Sequence, residues 1–302
     1  MLTIKPISNA KEAQHYYANK DNYYLTDKES LKEASGWMGK GAEYLGLEGN
    51  IEPEQFLKLL NGELPNGQLL GINKNGERHH RAGTDVTLSA PKSISILALV
   101  GEDKRLVEAH NKAVAVTFER IEQLAAEARI TFNKETAFEK TRNLVAASFI
   151  HTSSRELQPD LHTHLPILNM TRRSDGQWRA LSSLSPNEKD LLDNGFRELI
   201  YDNQHYLGLT YTSTLAKETK NIGYDIRIKD QYGNFEIEGV SDEIIKEASK
   251  RRQDILKDMK QKGFSSAKAA EKSNLDTRKA KEEIDSASLI KKWKDEFSTK
   301  NI

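Results

Sequence analysis

The segment LVAASFIHTSSRELQPDLHTHLPILN, residues 144–169, decides how this chain folds. Its two ends, 144–151 and 161–169, are rich in apolar and β-branched residues, which is typical of strands, and a polar stretch separates them. Side chains at positions i and i+2 of a strand point to the same face. His162 and His164 therefore share one face, and His151 can join them from a neighbouring strand.

Three histidines placed in this way predict a metal site. Three neutral imidazoles can bind a divalent ion from one side and leave its other positions open to water or phosphate oxygens. The alternative is that a His-x-His pair is ordinary surface-strand composition, because short motifs often match by accident. Pro166 favours an edge position for this strand, or a strand end, since proline cannot donate to a sheet ladder.

The composition excludes several classes of protein. The 302 residues carry 45 Lys and Arg against 45 Asp and Glu and no cysteine, which excludes a disulfide scaffold and a Cys-ligated metal. The longest apolar run, at 94–100, is too short to span a bilayer, and the N-terminal stretch has no signal-peptide core. We therefore expect a soluble cytoplasmic protein of one large or two small domains. With no net charge, a nucleic-acid partner would need local basic patches or a metal.

The remaining patterns predict mixed helices and strands. Helices are expected at 10–20, after an Asn9–Glu12 capping box, and at 53–60, 104–128 and up to about 221. Strand periodicity begins at 84, is expected to continue through 94–100, and returns in hairpins around 175–176 and around 232–233.

Beyond residue 240 the chain is almost entirely charged and helix-forming. This part carries 16 Lys and Arg against 12 Asp and Glu, which leaves 29 against 33 for residues 1–240. We expect a core over 1–240 and a charged helical extension over 241–302. Because the chain stops inside the charged stretch, we also expect a fragment of a longer protein.

Four tyrosines, Tyr16, Tyr17, Tyr23 and Tyr24, fall within nine positions. Each alone has a structural explanation, since tyrosines often pack at the edge of a core with the hydroxyl outward. Two pairs beside a histidine metal site instead predict nucleophilic attack on phosphodiesters. A phenol with a pKa of about 10 needs a nearby base or cation to favour the phenolate. Two tyrosines would permit two successive transfers without ATP.

Three further polar side chains are candidates for this site. Asp85 shares a polar strand face with Thr87, so it could orient a metal-bound histidine or accept a tyrosine proton. Lys92 and Arg155 are candidates for phosphate contacts. The alternative for each is a solvated surface charge.

Four segments, in order along the chain, resemble the MobF-type conjugative relaxases. They are YYANKDNYY (16–24), RAGTDVTLSAPKSIS (81–95), LVAASFIHTSSRELQPDLHTH (144–164) and LDTRKAKEE (275–283). The resemblance implies an α+β fold with a central antiparallel β-sheet of the HUH endonuclease type, covered by helices, and a C-terminal helical extension over single-stranded DNA. It implies a site- and strand-specific DNA transesterase that nicks a plasmid transfer origin, stays attached to the 5′ phosphate and rejoins the strand.

The resemblance also implies residue roles. Tyr16 is similar to the principal nucleophile and Tyr23 to a second one, with Tyr17 and Tyr24 as supporting partners. His151, His162 and His164 match the metal ligands, Asp85 the acidic residue and Arg155 a DNA contact. The implied cofactor is a divalent ion, Mg or Mn, with Zn, Ni or Co as alternatives.

DNA recognition is expected to combine single-stranded contacts with binding of a hairpin at the transfer origin. Arg172 and Arg173 would place a charged β-ribbon in a groove, and Trp37 and Trp178 could stack on bases. The alternative for the two arginines is a solvated hairpin tip, and the alternative for each tryptophan is packing in the core. The family also implies a monomer, relaxosome accessory proteins and a type IV secretion coupling protein as partners, and transport with DNA into the recipient.

Three other functions fit parts of the pattern. A rolling-circle replication initiator would use the same chemistry at a replication origin. A non-catalytic DNA-binding module would hold a structural metal, and a metal-dependent hydrolase would use activated water, against which the tyrosine cluster argues. No GxxxxGK[ST] motif occurs in these 302 residues, so they do not predict the helicase activity of longer family members.

Overall fold

The computed structural model describes residues 1–18, 35–132, 135–183, 195–263, 273 and 286–297. The strands are β1 (Leu2–Ile7), β2 (Ser35–Met38), β3 (Ile72–Lys74), β4 (Glu77–His79), β5 (Gly83–Ser89), β6 (Glu127–Phe132), β7 (Glu135–Lys140), β8 (Ala146–Ser153), β9 (Pro159–Leu168), β10 (Thr171–Arg172), β11 (Trp178–Arg179), β12 (Ile226–Ile228) and β13 (Phe235–Ile237). The helices are α1 (Ala10–Ala18), α2 (Lys40–Tyr44), α3 (Pro53–Leu60), α4 (Lys92–Leu99), α5 (Lys104–Ala125), α6 (Phe196–Asp202), α7 (Gln204–Asn221), α8 (Asp242–Glu247), α9 (Lys250–Gln261) and α10 (Ser286–Phe297).

A five-stranded antiparallel sheet, in the order β1-β5-β9-β8-β2, forms the centre of the fold. Alternation along its strands separates two apolar clusters. On β9, Leu161 and Leu165 face the larger cluster, which includes residues of α4, α5 and α7. On β8, Ala147 and Phe149 face the smaller cluster with α1 and α3. The α+β class with a central antiparallel sheet is confirmed.

The two strands predicted around the histidines are confirmed as β8 and β9, but the edge position is wrong. β9 lies between β5 and β8 at the middle of the sheet. Its pairing with β8 includes Ala146 with Ile167 and Phe149 with His164, and the register skips Pro166. A central strand tolerates this proline because the β8 ladder is interrupted at that position.

The prediction that strand structure continues through 94–100 is wrong, because 92–99 form the helix α4. This helix begins directly after Pro91 and is buried on several sides, with Ser93 to Ile96 all inaccessible to solvent. A helix that is buried on several sides does not show polar residues at the helical period of 3.6. Periodicity therefore cannot distinguish a short apolar helix of this kind from a buried strand.

The last described helix, α10, is anchored in the larger apolar cluster. Leu289, Trp293 and Phe297 are at most 1% exposed. The Trp293 indole nitrogen donates a hydrogen bond of 2.7 Å to the carbonyl of Leu157, in the turn between β8 and β9. Within the described parts of the chain, no helix has both the length and the apolar character needed to cross a membrane.

Candidate functional site

Strand pairing brings the three predicted histidines together. His151 on β8 lies directly opposite His162 on β9, and His164 follows two residues later on the same face. The ring centroids are 5.1 Å apart for His151 and His162, 4.8 Å for His151 and His164, and 5.2 Å for His162 and His164. Because one ligand nitrogen from each ring lies within 4.8 Å of the others, the three fit a single metal ion.

Neighbouring groups orient two of these rings. His164 Nδ1 lies 2.8 Å from Asp85 Oδ2, which also accepts a hydrogen bond of 3.2 Å from the Thr87 hydroxyl. His162 Nδ1 lies 2.8 Å from the backbone carbonyl of Asp160. With Nδ1 engaged, each ring would offer Nε2 to a metal, and outer contacts of this kind fix both the tautomer and the ring direction.

A partly buried ion pair supports His162. Lys92 Nζ lies 2.9 Å from Asp160 Oδ1 and donates to the Pro159 carbonyl at 2.7 Å. Burial would raise the pKa of Asp160, but Lys92 and His162 outweigh it and hold that pKa below its ordinary value. Burial lowers the pKa of His162, against the opposing effect of Asp160, and so favours the neutral imidazole that metals bind.

This ion pair defines the surroundings of Lys92. Its side chain is only 15% exposed and its charge is neutralised by Asp160. Lys92 therefore holds Asp160 beside His162, and its contact with a phosphate stays a prediction. Asp160 was missed as a site residue because an acidic residue before a His-x-His pair carries no sequence signal of its own.

The histidines line a cleft of ≈ 560 Å³ that also contains Asp85 and Arg155. Two further cations line it, Lys5 from β1 and Arg251 from α9. In the register of β1 and β5, Lys5 lies opposite Asp85. Sequence reasoning missed both cations: Lys5 lies on a strand that was not predicted, and Arg251 is one of many basic residues in a helix far along the chain. With Arg155 they place three cations in the cleft, against three carboxylates, those of Glu12, Asp85 and Asp160.

Helix α1 borders the same cleft. Asn9, Glu12 and Ala13 line it, and Asn9 caps the helix as predicted, because its Oδ1 accepts from the backbone nitrogens of Lys11 and Glu12 at 2.9 and 3.2 Å. Glu12 Oε1 accepts from the Asn9 side-chain amide at 3.3 Å, so the N-cap half of the predicted capping box is confirmed. Tyr16 and Tyr17 belong to α1, whereas Tyr23 and Tyr24 lie outside the described residues.

The predicted β-ribbon is a hairpin of β10 and β11, with Gly176 in a left-handed conformation at φ 81°. Arg173 lies 3.0 Å from Glu139 and 3.4 Å from Asp175, and the Arg172 guanidinium lies 5.1 Å from the centre of the Tyr44 ring.

The base-stacking role predicted for Trp178 is wrong. Its side chain is 3% exposed within the smaller apolar cluster. Trp37 is half-buried and makes an edge contact with Phe56, at 6.2 Å between ring centroids. An indole buried on both faces cannot receive a base, so core packing explains Trp178.

Comparison with known proteins gives consistent results. A family model described as TrwC relaxase matches residues 10–299. The multifunctional conjugation protein TraI of Escherichia coli (strain K12) is 37% identical over 293 residues, which is 97% of this chain and 16% of TraI. The chain therefore spans about a sixth of the length of this curated relative.

Solved structures of TrwC are similar over the whole chain. The metal-bound conjugative relaxase TrwC in complex with OriT DNA has a TM-score of 0.86 and 34% identity, covering 100% of this chain and 99% of that one. TrwC complexed with a 27-mer DNA, comprising the recognition hairpin and the cleavage site, has a TM-score of 0.85 and 33% identity at the same coverage.

Proposed function

The chain belongs to the TrwC relaxase family, and we propose that it nicks one DNA strand at the transfer origin of a conjugative plasmid. The observation that carries this proposal is the cluster of His151, His162 and His164 in a cleft bordered by α1, the helix that bears Tyr16. The product would be a covalent 5′-phosphotyrosine, from which the strand is later rejoined during conjugation.

The three histidines would hold the divalent ion. Mg or Mn is the proposed cofactor, with Zn, Ni or Co as alternatives, because three imidazoles suit the later metals by affinity. When bound, the ion would polarise the scissile phosphate and stabilise its developing charge. Asp85 would hold His164 in the productive tautomer through the contact of 2.8 Å.

Tyr16 is the proposed nucleophile. Its phenol oxygen would bond to the scissile phosphorus as the bond from phosphorus to the 3′ oxygen breaks. The phenol loses a proton and the departing 3′ oxygen gains one, so the step is balanced without a co-reactant. The position of Tyr16 on α1, the helix that borders the cleft of the three histidines, supports this choice. Tyr23 would perform a second transfer, with Tyr17 and Tyr24 as supporting partners.

The DNA strand would follow the cations of the cleft. Lys5, Arg155 and Arg251 line it, and they supply positive charge beside the histidines. Because Arg251 comes from α9, we assign residues 241–302 as the extension that closes over single-stranded DNA and residues 1–240 as the catalytic core.

Replacing both Lys5 and Arg251 by alanine is expected to weaken binding of single-stranded DNA and to flatten its salt dependence. Removing one ionic interaction with a phosphate should reduce the slope of log affinity against log salt concentration by about 0.7. Fluorescence anisotropy across a salt series measures this slope. The matched control is Arg120→Ala, which removes an exposed cation from α5, a helix of the opposite face. Equal slopes for the double variant and the control would remove Lys5 and Arg251 from the DNA path.

The β10–β11 hairpin is proposed to contact a DNA hairpin. Replacing Arg172 and Arg173 by alanine should weaken binding of a hairpin oligonucleotide and reduce its salt slope by roughly 0.9 for each arginine that binds a phosphate. Binding of an unstructured strand serves as the control and should change little. Unchanged affinity for the hairpin would exclude this ribbon from the footprint.

By family membership we also propose relaxosome accessory proteins and a type IV secretion coupling protein as partners of a monomeric chain. The site of action would be the bacterial cytoplasm, from which the protein would travel with the DNA into the recipient.

Nicking of single-stranded oligonucleotides that tile a transfer origin and, as a comparison, a replication origin, with and without Mg²⁺ or Mn²⁺, tests the proposed function. We expect metal-dependent cleavage at one position in one tile. Cleavage only at a replication origin would favour a rolling-circle initiator. Strong binding without cleavage would favour a non-catalytic DNA-binding module.

A further inference from the structure

Three buried polar side chains lie directly behind the histidine cluster, on the opposite face of the sheet. Thr163 sits on β9 between His162 and His164, so its side chain points away from the cleft. Its hydroxyl oxygen is 2.7 Å from His110 Nε2, on α5. His110 Nδ1 is in turn 2.7 Å from the hydroxyl of Tyr211, on α7. All three residues are 0% exposed.

This chain of hydrogen bonds runs through an otherwise apolar region. In the sheet register, Thr163 lies opposite Leu88 on one side and Ile150 on the other, and both belong to the larger apolar cluster. Burying a hydroxyl or an imidazole there is costly unless each finds a partner. Apolar residues of the same size would avoid that cost, so the polar chain is not explained by stability alone.

The donors and acceptors of the three groups match. Burial lowers the pKa of His110 to about 3, so the imidazole is neutral and has one donor and one acceptor nitrogen. Burial also raises the pKa of the Tyr211 phenol well above its ordinary value, which keeps its proton in place. Each hydroxyl can donate or accept, so both tautomers of His110 satisfy both links.

The hydrogen bond between Thr163 and His110 fixes how far β9 can slide along the strand direction. The next residues on the same face of β9 are Leu161 and Leu165, which cannot hydrogen-bond through their side chains. A shift of β9 by two residues would put a leucine against His110 and leave a buried ring nitrogen unsatisfied. A shift by one residue would exchange the faces and remove both metal-ligating histidines from the cleft.

We propose that His110, Thr163 and Tyr211 are positioning residues of the metal site, which fix β9 against α5 and α7 so that His162 and His164 converge with His151. A metal site tolerates errors of only about 0.2 Å in its ligand distances, so small displacements of β9 are expected to weaken it. The inference rests on the proposed metal site, and it is independent of which DNA is cut.

Titration of the metal-free protein with Co²⁺ tests this role without any DNA reaction. The visible absorption of bound Co²⁺ reports both the affinity and the coordination geometry. Tyr211→Phe and Thr163→Val should each weaken Co²⁺ binding roughly 10-fold, at the lower end of the effect of outer contacts, and alter the spectrum. Thr163→Ser keeps the hydroxyl and should retain the affinity of the unmodified protein. Tyr211→Phe removes a single oxygen, so this variant still tests the proposal if Thr163→Val does not fold.

Thr117→Val is the matched control. Thr117 is also fully buried on α5, but its hydroxyl donates within the helix, to the Ala113 carbonyl at 2.7 Å. This variant should lower the melting temperature and leave the Co²⁺ affinity and spectrum unchanged. If Tyr211→Phe and Thr163→Val also lower only the melting temperature and leave Co²⁺ binding unchanged, the role of Tyr211 and Thr163 is structural and the proposal is overturned. If the unmodified protein binds no Co²⁺, the metal site itself is wrong, and this inference is overturned with it.

Discussion

Tyr16→Phe is expected to abolish covalent attachment to DNA while leaving DNA binding intact. Phenylalanine keeps the aromatic ring on α1 but has no oxygen to bond to phosphorus, so the reaction loses its nucleophile. Losses on removing a nucleophile are large, on the order of 10⁴-fold or more in rate. The measurement is the rate of nicking of a single-stranded oligonucleotide on a denaturing gel, with binding followed by fluorescence anisotropy.

Tyr17→Phe provides the matched control for this variant, because it makes the same change at the adjacent residue of α1. It should retain most of the nicking activity, since Tyr17 is proposed as a supporting partner and not as the nucleophile. If Tyr16→Phe nicks at the rate of the unmodified protein, Tyr16 is not the nucleophile. Loss of activity in Tyr17→Phe with activity retained in Tyr16→Phe would transfer the role to Tyr17.

His162→Ala is expected to have the largest effect on metal affinity. It removes one of three ligand nitrogens that lie within 4.8 Å of one another. Removing the hydrogen-bond partner of a ligand typically costs 10- to 100-fold in affinity, so removing the ligand itself should cost more than about 100-fold. Asp85→Asn, which changes only the partner of His164, should fall within the smaller range. Isothermal titration of the metal-free protein with Mn²⁺ or Ni²⁺ measures these differences.

His205→Ala is the control for His162→Ala, because His205 stacks on Tyr232 outside the cleft. Its metal affinity should equal that of the unmodified protein. An equal loss in both variants would mean that metal binds to histidines without selection. Unchanged affinity in His162→Ala would contradict the assignment of His151, His162 and His164 as one site.

The histidine cluster could be predicted from the sequence because strand periodicity fixes which side chains share a face. His162 and His164 had to lie together once 161–169 was a strand, and pairing with 144–151 brought in His151. Contacts between segments that are distant in sequence could not be read in this way. The ion pair of Lys92 with Asp160 joins α4 to β9, and the register of β1 places Lys5 beside Asp85.

Burial was the other property that local patterns did not determine. Ser93 and Ser95 give α4 a strand-like alternation, yet that helix is covered on several sides. Trp178 is next to a basic hairpin in the sequence, but its indole is buried in the smaller apolar cluster. His110 gave no signal at all, because a single histidine within an amphipathic helix is recognised as part of a network only when Thr163 and Tyr211 are placed around it.

The proposed reaction requires a covalent bond between a tyrosine and DNA, and peptide mass mapping tests this bond most directly. Trypsin cleaves after Lys11, Lys20 and Lys28, so Tyr16 and Tyr17 fall in peptide 12–20, whereas Tyr23 and Tyr24 fall in peptide 21–28. After incubation with a cleavable oligonucleotide and Mg²⁺ or Mn²⁺, we expect peptide 12–20 to gain the mass of the DNA fragment on the 3′ side of the nick, with fragmentation placing it on Tyr16. Cleavage of the oligonucleotide with no mass gained by either peptide would contradict the proposed reaction, and no mass gained by any peptide of the protein would point to water as the nucleophile.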